Sequence, residues 1–452
     1  MIDFLILYEL KNREIENVIL LGNELKKRGY SVEYLKYPSK NRYMIPGMKK
    51  KARVVLTSAL YDNNSLYVMV YRCSRAAKKI INLQWEQIWT NQADNNFSDF
   101  RFPHQMAKEV VHVCWGEHTK EKLLRAGIKR EKVKIAGPLH MDFLRPNFKK
   151  YYKDRETLFR EYDINTNKIT VLFISSFSYA TLTEDQIRGL KTDLDEATVD
   201  KFQRLSVESQ KEVISWIDKL LQETPNINFI YRKHPAENDS KLLRQLMDKY
   251  EGFKAISDYS VKQWILTCDK IYTWYSTSIG EVYFAHKPCV ILRPIQISNE
   301  LEVSIMSDAE KIIDYDAFKK SIHENYQFPI GDEVMRKYYS VDVNVTACQR
   351  LGDLLEEVLS KDSYNIRWDK NVLGTFSRRL WKDRAISLLR QCFHKFVKVC
   401  NIIKGHYGIE LPKKLENKVH KYEIATKKIL ADSASKEEIR IISEKLWDKV
   451  YH

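Results

Sequence analysis

The chain opens with a short apolar run, FLILY (4–8), then REIENVILLGNELKKRGY with apolar residues at three- and four-residue spacing, then a second short run, SVEYLKY. These periods predict strand, helix, strand. RVVLTSA, KKIINLQW, VVHVCWG and KVKIAG continue as strand candidates to about residue 136. A polar, Lys- and Arg-rich stretch around 147–168 interrupts the series. A second series follows: ITVLFIS (169–175), a helix near 207–223, NINFIY (226–231), a helix near 240–250, KIYTWY (270–275), a short helix at 278–286 and CVILR (289–293). Strands separated by helices form parallel sheets with helices on both faces. The pattern therefore predicts an α/β protein with two Rossmann-like domains, 1–147 and 148–330, facing a cleft. Residues 331–361, with QRLGDLLEEVL, read as a helix crossing both domains. Residues 362–452 read as a helical tail, with a last helical pair over 412–450.

In open α/β sheets ligands bind at the carboxyl ends of strands, so residues just after strands carry the candidate chemistry. ITVLFISSFS ends in Ser175, Ser176 and Ser178, whose hydroxyls and amides suit an anion or an ordinary helix cap. NINFIY runs into Arg232, Lys233, His234 and Pro235. Arg presents a donor fork and His a titratable donor, so this turn either neutralises a phosphate or is a charged surface turn. KIYTWY is followed by Ser276, Thr277 and Ser278, with Glu281 at capping-box spacing from Ser278. That helix start is either a plain cap or an anion site, and Glu281 is a candidate acceptor for ribose hydroxyls. In KKIINLQWEQIW, Glu86 stands between Trp85 and Trp89, an aromatic setting that would tune a carboxyl for proton transfer; the plainer alternative is a solvated glutamate. Glu9, ending LILYE, is its rival.

Composition narrows the class. With 44% hydrophobic residues, 14 Gly and 11 Pro the 452-residue chain is globular. Seven cysteines are scattered without a CxxC pair, which points to a reducing compartment and no structural metal. Neither an apolar run of transmembrane length nor a secretory signal is apparent, so a cytoplasmic protein is expected. The net charge of +15 is uneven: residues 367–428 hold sixteen Lys or Arg and five Asp or Glu. Within 376–404, apolar residues 385, 388, 389, 392, 396, 399 and 403 form a helical stripe, with Arg378, Arg379, Lys382, Arg390, Lys395 and Lys398 largely off it. Such a helix either lies on an anionic membrane surface or docks on the catalytic domains with a solvated basic face. Nucleic acid is not the expected partner, because no RNA-binding module accompanies the charge.

Taken in order, RKHP after a strand, then a strand followed by STS and a helix ending in KP, resembles the HP and serine motifs of bacterial capsule and wall polymer transferases. These include the CDP-glycerol glycerophosphotransferases, capsule β-Kdo transferases and bacterial sialyltransferases, all of GT-B architecture. The opening LILYELKNREIENVILLGNELKKRGYSV (5–32) is also similar to that of surface carbohydrate biosynthesis proteins, and KVKIAGPLHMDFLRP, with Gly137, Pro138 and Asp142, resembles the segment closing the first domain. The resemblance spans roughly residues 1–330.

It implies that His234, Ser276, Thr277 and Ser278 hold the phosphate and ribose of a CMP or CDP donor, and that Glu86 stands where relatives carry a catalytic His or acidic residue. QWEQ departs from both family versions. The expected function is a metal-independent transferase moving a Kdo-like or other sugar from a cytidine nucleotide to a glycan or lipid-linked acceptor, peripheral on the inner face of the cytoplasmic membrane. Glu86 and His234 would be catalytic, with Ser175, Ser176, Arg232, Pro235 and Glu281 on the donor and Glu9 and Asp142 on the acceptor side. Alternatives are a CDP-polyol phosphotransferase, a sugar-nucleotide epimerase and a non-catalytic membrane-associated scaffold. Asp193-Leu194-Asp195 and Asp314-Tyr315-Asp316 spell the DxD of metal-dependent GT-A enzymes but sit among charged, helix-like residues. No metal and no cofactor beyond the activated donor is therefore expected.

Overall fold

The computed structural model describes residues 1–37, 50–95, 102–191, 195–407, 417 and 433–451. The chain divides into two compact units, one of Met1–Gln87, Phe97–Leu139 and Ser340–Tyr451, the other of Ile88–Asn96 and His140–Tyr339.

The first unit holds a six-stranded parallel sheet, ordered β2-β1-β3-β4-β5-β6. Its strands are β1 (Ile2–Tyr8), β2 (Val32–Lys36), β3 (Ala52–Thr57), β4 (Lys79–Asn82), β5 (Val111–Cys114) and β6 (Val133–Ile135). The central strands are covered on both faces, which is why FLILY and RVVLT are nearly unbroken apolar runs. Helix α1 (Lys11–Lys27) buries Ile15, Val18, Ile19 and Leu25 against the sheet.

The second unit holds the other parallel sheet, ordered β12-β11-β10-β7-β8-β9. Its strands are β7 (Ile169–Ile174), β8 (Ile227–Arg232), β9 (Phe253–Ile256), β10 (Lys270–Thr273), β11 (Cys289–Leu292) and β12 (Lys311–Ile312). Counted from β7 this is the strand order of a dinucleotide-binding sheet, with its switch point between β7 and β10. Helix α2 (Glu196–Glu223) covers one face through Val213, Ile217 and Leu220. The sequence pattern misses β9 and β12 because both are edge strands, four and two residues long, with only partial apolar faces.

The C-terminal third departs from the expected segmentation. Helix α3 (Ala347–Ser360) belongs to the first unit, where Arg28, just after α1, reaches Asp353 and Glu356 at 2.6 and 2.8 Å. Gly137 (φ +84°) lies so close to this segment that a Cβ would come within 2.4 Å of the Ser340 carbonyl. Only glycine fits both the dihedral and the approach. Helix α4 (Lys370–Tyr407) leaves the same unit, and α5 (Lys436–Leu446) returns to α1 through a Lys11–Glu438 ion pair at 3.0 Å. The first part of the helical pair expected over 412–450 falls outside the described residues. No helix among the described residues is long and apolar enough to cross a membrane.

His112, on β5, is fully buried; one ring nitrogen faces the Ala107 carbonyl at 2.9 Å and the other the Asn82 amide at 3.1 Å. Burial pulls its pKa down to about 4. The unfolded chain takes up this proton near pH 6.5 and the folded one only near 4, so protons favour unfolding across that window. The stability of this unit should fall as pH drops from 6.5 to 4, by up to about 1.4 kcal/mol per pH unit from this histidine. Denaturant titrations at several pH values check this, with His112→Gln expected to flatten the slope.

Candidate functional site

In the second unit the order β10-β7-β8 brings three strand ends side by side. Ile174 lies opposite Arg232 on one side and Thr273 on the other. The loops after these strands are stitched together: Ser175 N–H donates to the Arg232 carbonyl at 3.0 Å, and the Ser176 hydroxyl accepts from Tyr275 N–H at 3.1 Å across the switch point. Ser176, His234 and Ser276–Ser278, distant in sequence, thus emerge on neighbouring loops at the carboxyl end of one sheet.

His234 and Pro235 are exposed. The His234 Nδ1 accepts the Ala236 N–H at 3.1 Å, so the proton of the neutral imidazole sits on Nε2. The turn itself is held by Glu237, which the sequence reading passed over. One carboxylate oxygen accepts the His234 N–H at 3.1 Å and the Ser175 hydroxyl at 2.6 Å. The other accepts the Tyr231 hydroxyl at 2.8 Å and the Gln210 amide at 3.3 Å. Burial pushes the Glu237 carboxyl up, against the pull of these donors. The only signal in the sequence was a glutamate three residues after the histidine, the spacing at which a carboxylate reaches back to a backbone N–H.

Two candidate residues turn away from this surface. Arg232 is buried, and its guanidinium donates to the backbone carbonyls of Lys233 (2.7 Å) and Tyr259 (2.6 Å), binding the end of β8 to the loop after β9. It is a structural tie, not a phosphate fork. Ser175 is likewise buried, its hydroxyl committed to Glu237 and Tyr231. The reason is alternation: the polar residues at the ends of buried strands face inward or sideways, and there each must find a partner.

The serine turn also differs from expectation. Ser278 makes no side-chain cap and no capping box forms with Glu281; the Ser276 hydroxyl accepts the Ser278 N–H at 3.2 Å instead. Glu281 is half-buried. Burial pushes its pKa up while Lys262 draws it down. Burial and the same Lys262 hold His140 neutral, its pKa drawn down to about 3. Neighbouring Gly280 must be glycine, because a Cβ there would sit 2.4 Å from the Tyr339 hydroxyl. Asp142 lies in this second unit, buried and paired with Arg145 at 3.1 Å. Asp195 and Asp314 of the two DxD triplets cap helices, accepting from Thr198 and Ala317 N–H at 2.8 and 2.9 Å; Asp193 is outside the described residues. Among the described residues no cluster of three His, Cys, Asp or Glu forms a metal-binding group.

In the first unit, Glu86 follows β4 on a loop fastened by Gln87. The Gln87 side chain donates to the Val113 carbonyl at 2.9 Å and accepts the Trp115 N–H at 2.7 Å, while Lys122 donates to the Gln87 carbonyl at 3.0 Å. Gln84, buried at φ +48°, completes a constrained turn. The dry aromatic setting expected for Glu86 is absent. Trp85 turns inward, Trp89 lies in the other unit where its neighbour Thr90 bridges Val303, and the Glu86 carboxylate is 55% exposed and ion-paired with Arg13. Arg13 also binds buried Glu14 at 2.7 Å, whose other oxygen accepts the Glu9 N–H at 2.8 Å. Glu9, Glu14, Arg13 and Glu86 thus form one charged row at the carboxyl ends of β1 and β4, of which sequence reasoning had only the two outer members.

No family model and no curated protein matches the sequence. Among solved structures the chain is similar to the wall teichoic acid polymerase TagF, at 15% identity and TM-score 0.51 over 79% of this chain and 89% of that one. It is also similar to a protein assigned as a UDP-N-acetylglucosamine 2-epimerase from Listeria monocytogenes, at 11% identity and TM-score 0.51 over 81% and 100%. At these identities the likeness is one of fold. The two six-stranded parallel sheets are those of the GT-B architecture, the fold that the HP and serine motifs implied.

Proposed function

We propose that the protein is a transferase of bacterial surface-polymer synthesis that moves a sugar or polyol-phosphate group from a cytidine nucleotide to a glycan or lipid-linked acceptor. The observation that carries this reading is the exposed His234, held by Glu237 on a loop beside Ser176 and Ser276–Ser278 at the switch point of a Rossmann-ordered sheet. Charge accumulates on the nucleotide phosphate as the donor bond breaks. The Nε2–H of His234 and the amides and hydroxyls of the serine turn stabilise it there, without water reorganising around it. Glu281, half-buried after the serine turn, accepts from the ribose hydroxyls. On the acceptor side Glu86 or Glu9 takes the proton of the attacking hydroxyl, with Arg13 setting the position of Glu86. Asp195 and Asp314 cap helices, so turnover is assigned to these groups and should survive EDTA. A lipid-linked acceptor puts the reaction at the inner face of the cytoplasmic membrane.

The test is ligand-dependent stability. A ligand bound only by the folded state at a hundredfold excess over its Kd adds about 2.7 kcal/mol. CMP, CDP and their conjugates should raise the melting temperature, and UDP and GDP should raise it less. Indifference to all four nucleotides would remove the reading.

The likeness in fold to the Listeria epimerase favours a second reading, sugar-nucleotide epimerisation. That reaction needs no acceptor, so conversion of the donor alone to an isomeric nucleotide sugar would select it.

A further inference from the structure

Helix α4 has two opposed faces, and only one of them is docked. Phe376, Leu380, Asp383 and Ser387 are buried at 4–7% exposure, spaced by three and four residues. Phe376 packs on Tyr67 and Tyr71 with ring centroids 5.3 Å away, and Asp383 accepts the Tyr67 hydroxyl at 2.7 Å. Arg379 stacks over the Tyr67 ring at 4.1 Å and reaches Asn64 at 2.8 Å. The apolar stripe noticed in the sequence is not this face. Trp381, Leu388, Leu389, Phe396 and Val399 are 75, 62, 69, 59 and 54% exposed, and Ala385 and Cys392 are exposed between them. With 3.6 residues per turn the stripe is centred roughly 150° from the docked face and runs about 27 Å along the axis. So the helix is held to the protein by one side while an unbroken apolar strip points outward from the other.

We infer that this strip is a docking surface for an anionic lipid bilayer. Between Ser377 and Val399 there are seven Lys or Arg and one acidic residue, Asp383, which is buried against Tyr67. Arg378, Lys382, Arg384 and Lys395 are exposed beside the strip. Apolar side chains enter the interfacial zone while the flanking cations stay at headgroup level, where a negatively charged surface attracts them. A second copy of the chain fits the same strip poorly. A two-fold pairing would bring these flanking cations against their own kind with no exposed acidic residue between Ser377 and Val399 to answer them. The inference deepens the proposed transferase by naming how it reaches a lipid-linked acceptor, and rests on that reading only for its biological purpose.

Cosedimentation of the full chain with vesicles of phosphatidylcholine alone, and of phosphatidylcholine with phosphatidylglycerol, tests it. Binding should be confined to the anionic vesicles and weaken with salt, and Leu388→Glu with Phe396→Glu should reduce it about tenfold or more. Neither residue touches the docked face, so the variant's melting temperature and its shift with CDP should match the parent's. Equal binding by parent and variant, or no binding to anionic vesicles, overturns the inference. So does a concentration-dependent dimer that the variant abolishes. Failure of the transferase reading would appear separately, as no nucleotide shift in a protein that still binds vesicles.

Discussion

His234→Ala should lower turnover by about a hundred- to ten-thousandfold, the range for loss of a positioned proton donor or acid, while the fold survives. The imidazole is exposed, and its Nδ1 accepts the Ala236 N–H. The alanine variant should therefore melt within about 0.5 kcal/mol of the parent, as surface substitutions do. Donor binding should weaken too, because the Nε2–H is assigned to the nucleotide phosphate before as well as during bond cleavage. His234→Gln separates the two contributions: it keeps an N–H donor without acid–base capacity, so it should recover part of the nucleotide affinity and little of the turnover. Initial rates with titrations of CMP or CDP measure both. A purified alanine variant with near-normal turnover would reject His234 as the catalytic group.

Glu237 carries the second large effect. Its carboxylate is the shared acceptor for the His234 N–H and for the buried Ser175 and Tyr231 hydroxyls. Glu237→Ala strands these donors, and a buried unsatisfied group costs about 1–3 kcal/mol, so stability should fall by about 3 kcal/mol or more. Glu237→Gln is the sharper probe. It nearly preserves volume but presents an amide N–H to one of the same donors, loosening the turn that aims the imidazole. Nucleotide affinity should drop about tenfold, about a 1.4 kcal/mol loss and near the lower end for a hydrogen bond to a charged group, with a smaller fall in melting temperature. Tyr231→Phe, which removes a donor and leaves the carboxylate's other partners in place, should be milder on both counts. If Glu237→Gln lowers the melting temperature while affinity and turnover stay at parental values, Glu237 is structural and does not position His234.

Much of this was legible along the chain, and the failures share a cause. The periods of β1, α1, β7, β8 and β10 are local properties, and the structure has those elements within one to three residues of the predicted runs. The short edge strands β9 and β12 were lost because an edge strand needs few apolar residues. Arg232 and Ser175 were read as ligand groups because they follow or end strands, yet their partners, the Tyr259 carbonyl and Glu237, lie 27 and 62 residues away in sequence. Glu86 was placed in a dry aromatic niche by its neighbours Trp85 and Trp89, but adjacent residues do not share surroundings: one indole is buried in each unit, and the carboxylate between them pairs with Arg13.

The sequence by itself determined the α/β class, the two series of parallel strands, the turn built on His234 and Pro235, and the basic, stripe-bearing helix near the C-terminus. These follow from residue periodicity and from the backbone limits of proline and glycine, which act within a few residues. Tertiary structure alone decided that β7 lies between β8 and β10, that Glu237 anchors His234, and that α4 docks by Phe376 and Leu380 and leaves Leu388 and Phe396 outside. Strand order, buried hydrogen-bond partners and the choice of a helix face are settled by contacts between distant segments, where a side chain is claimed by whichever neighbour the fold brings to it.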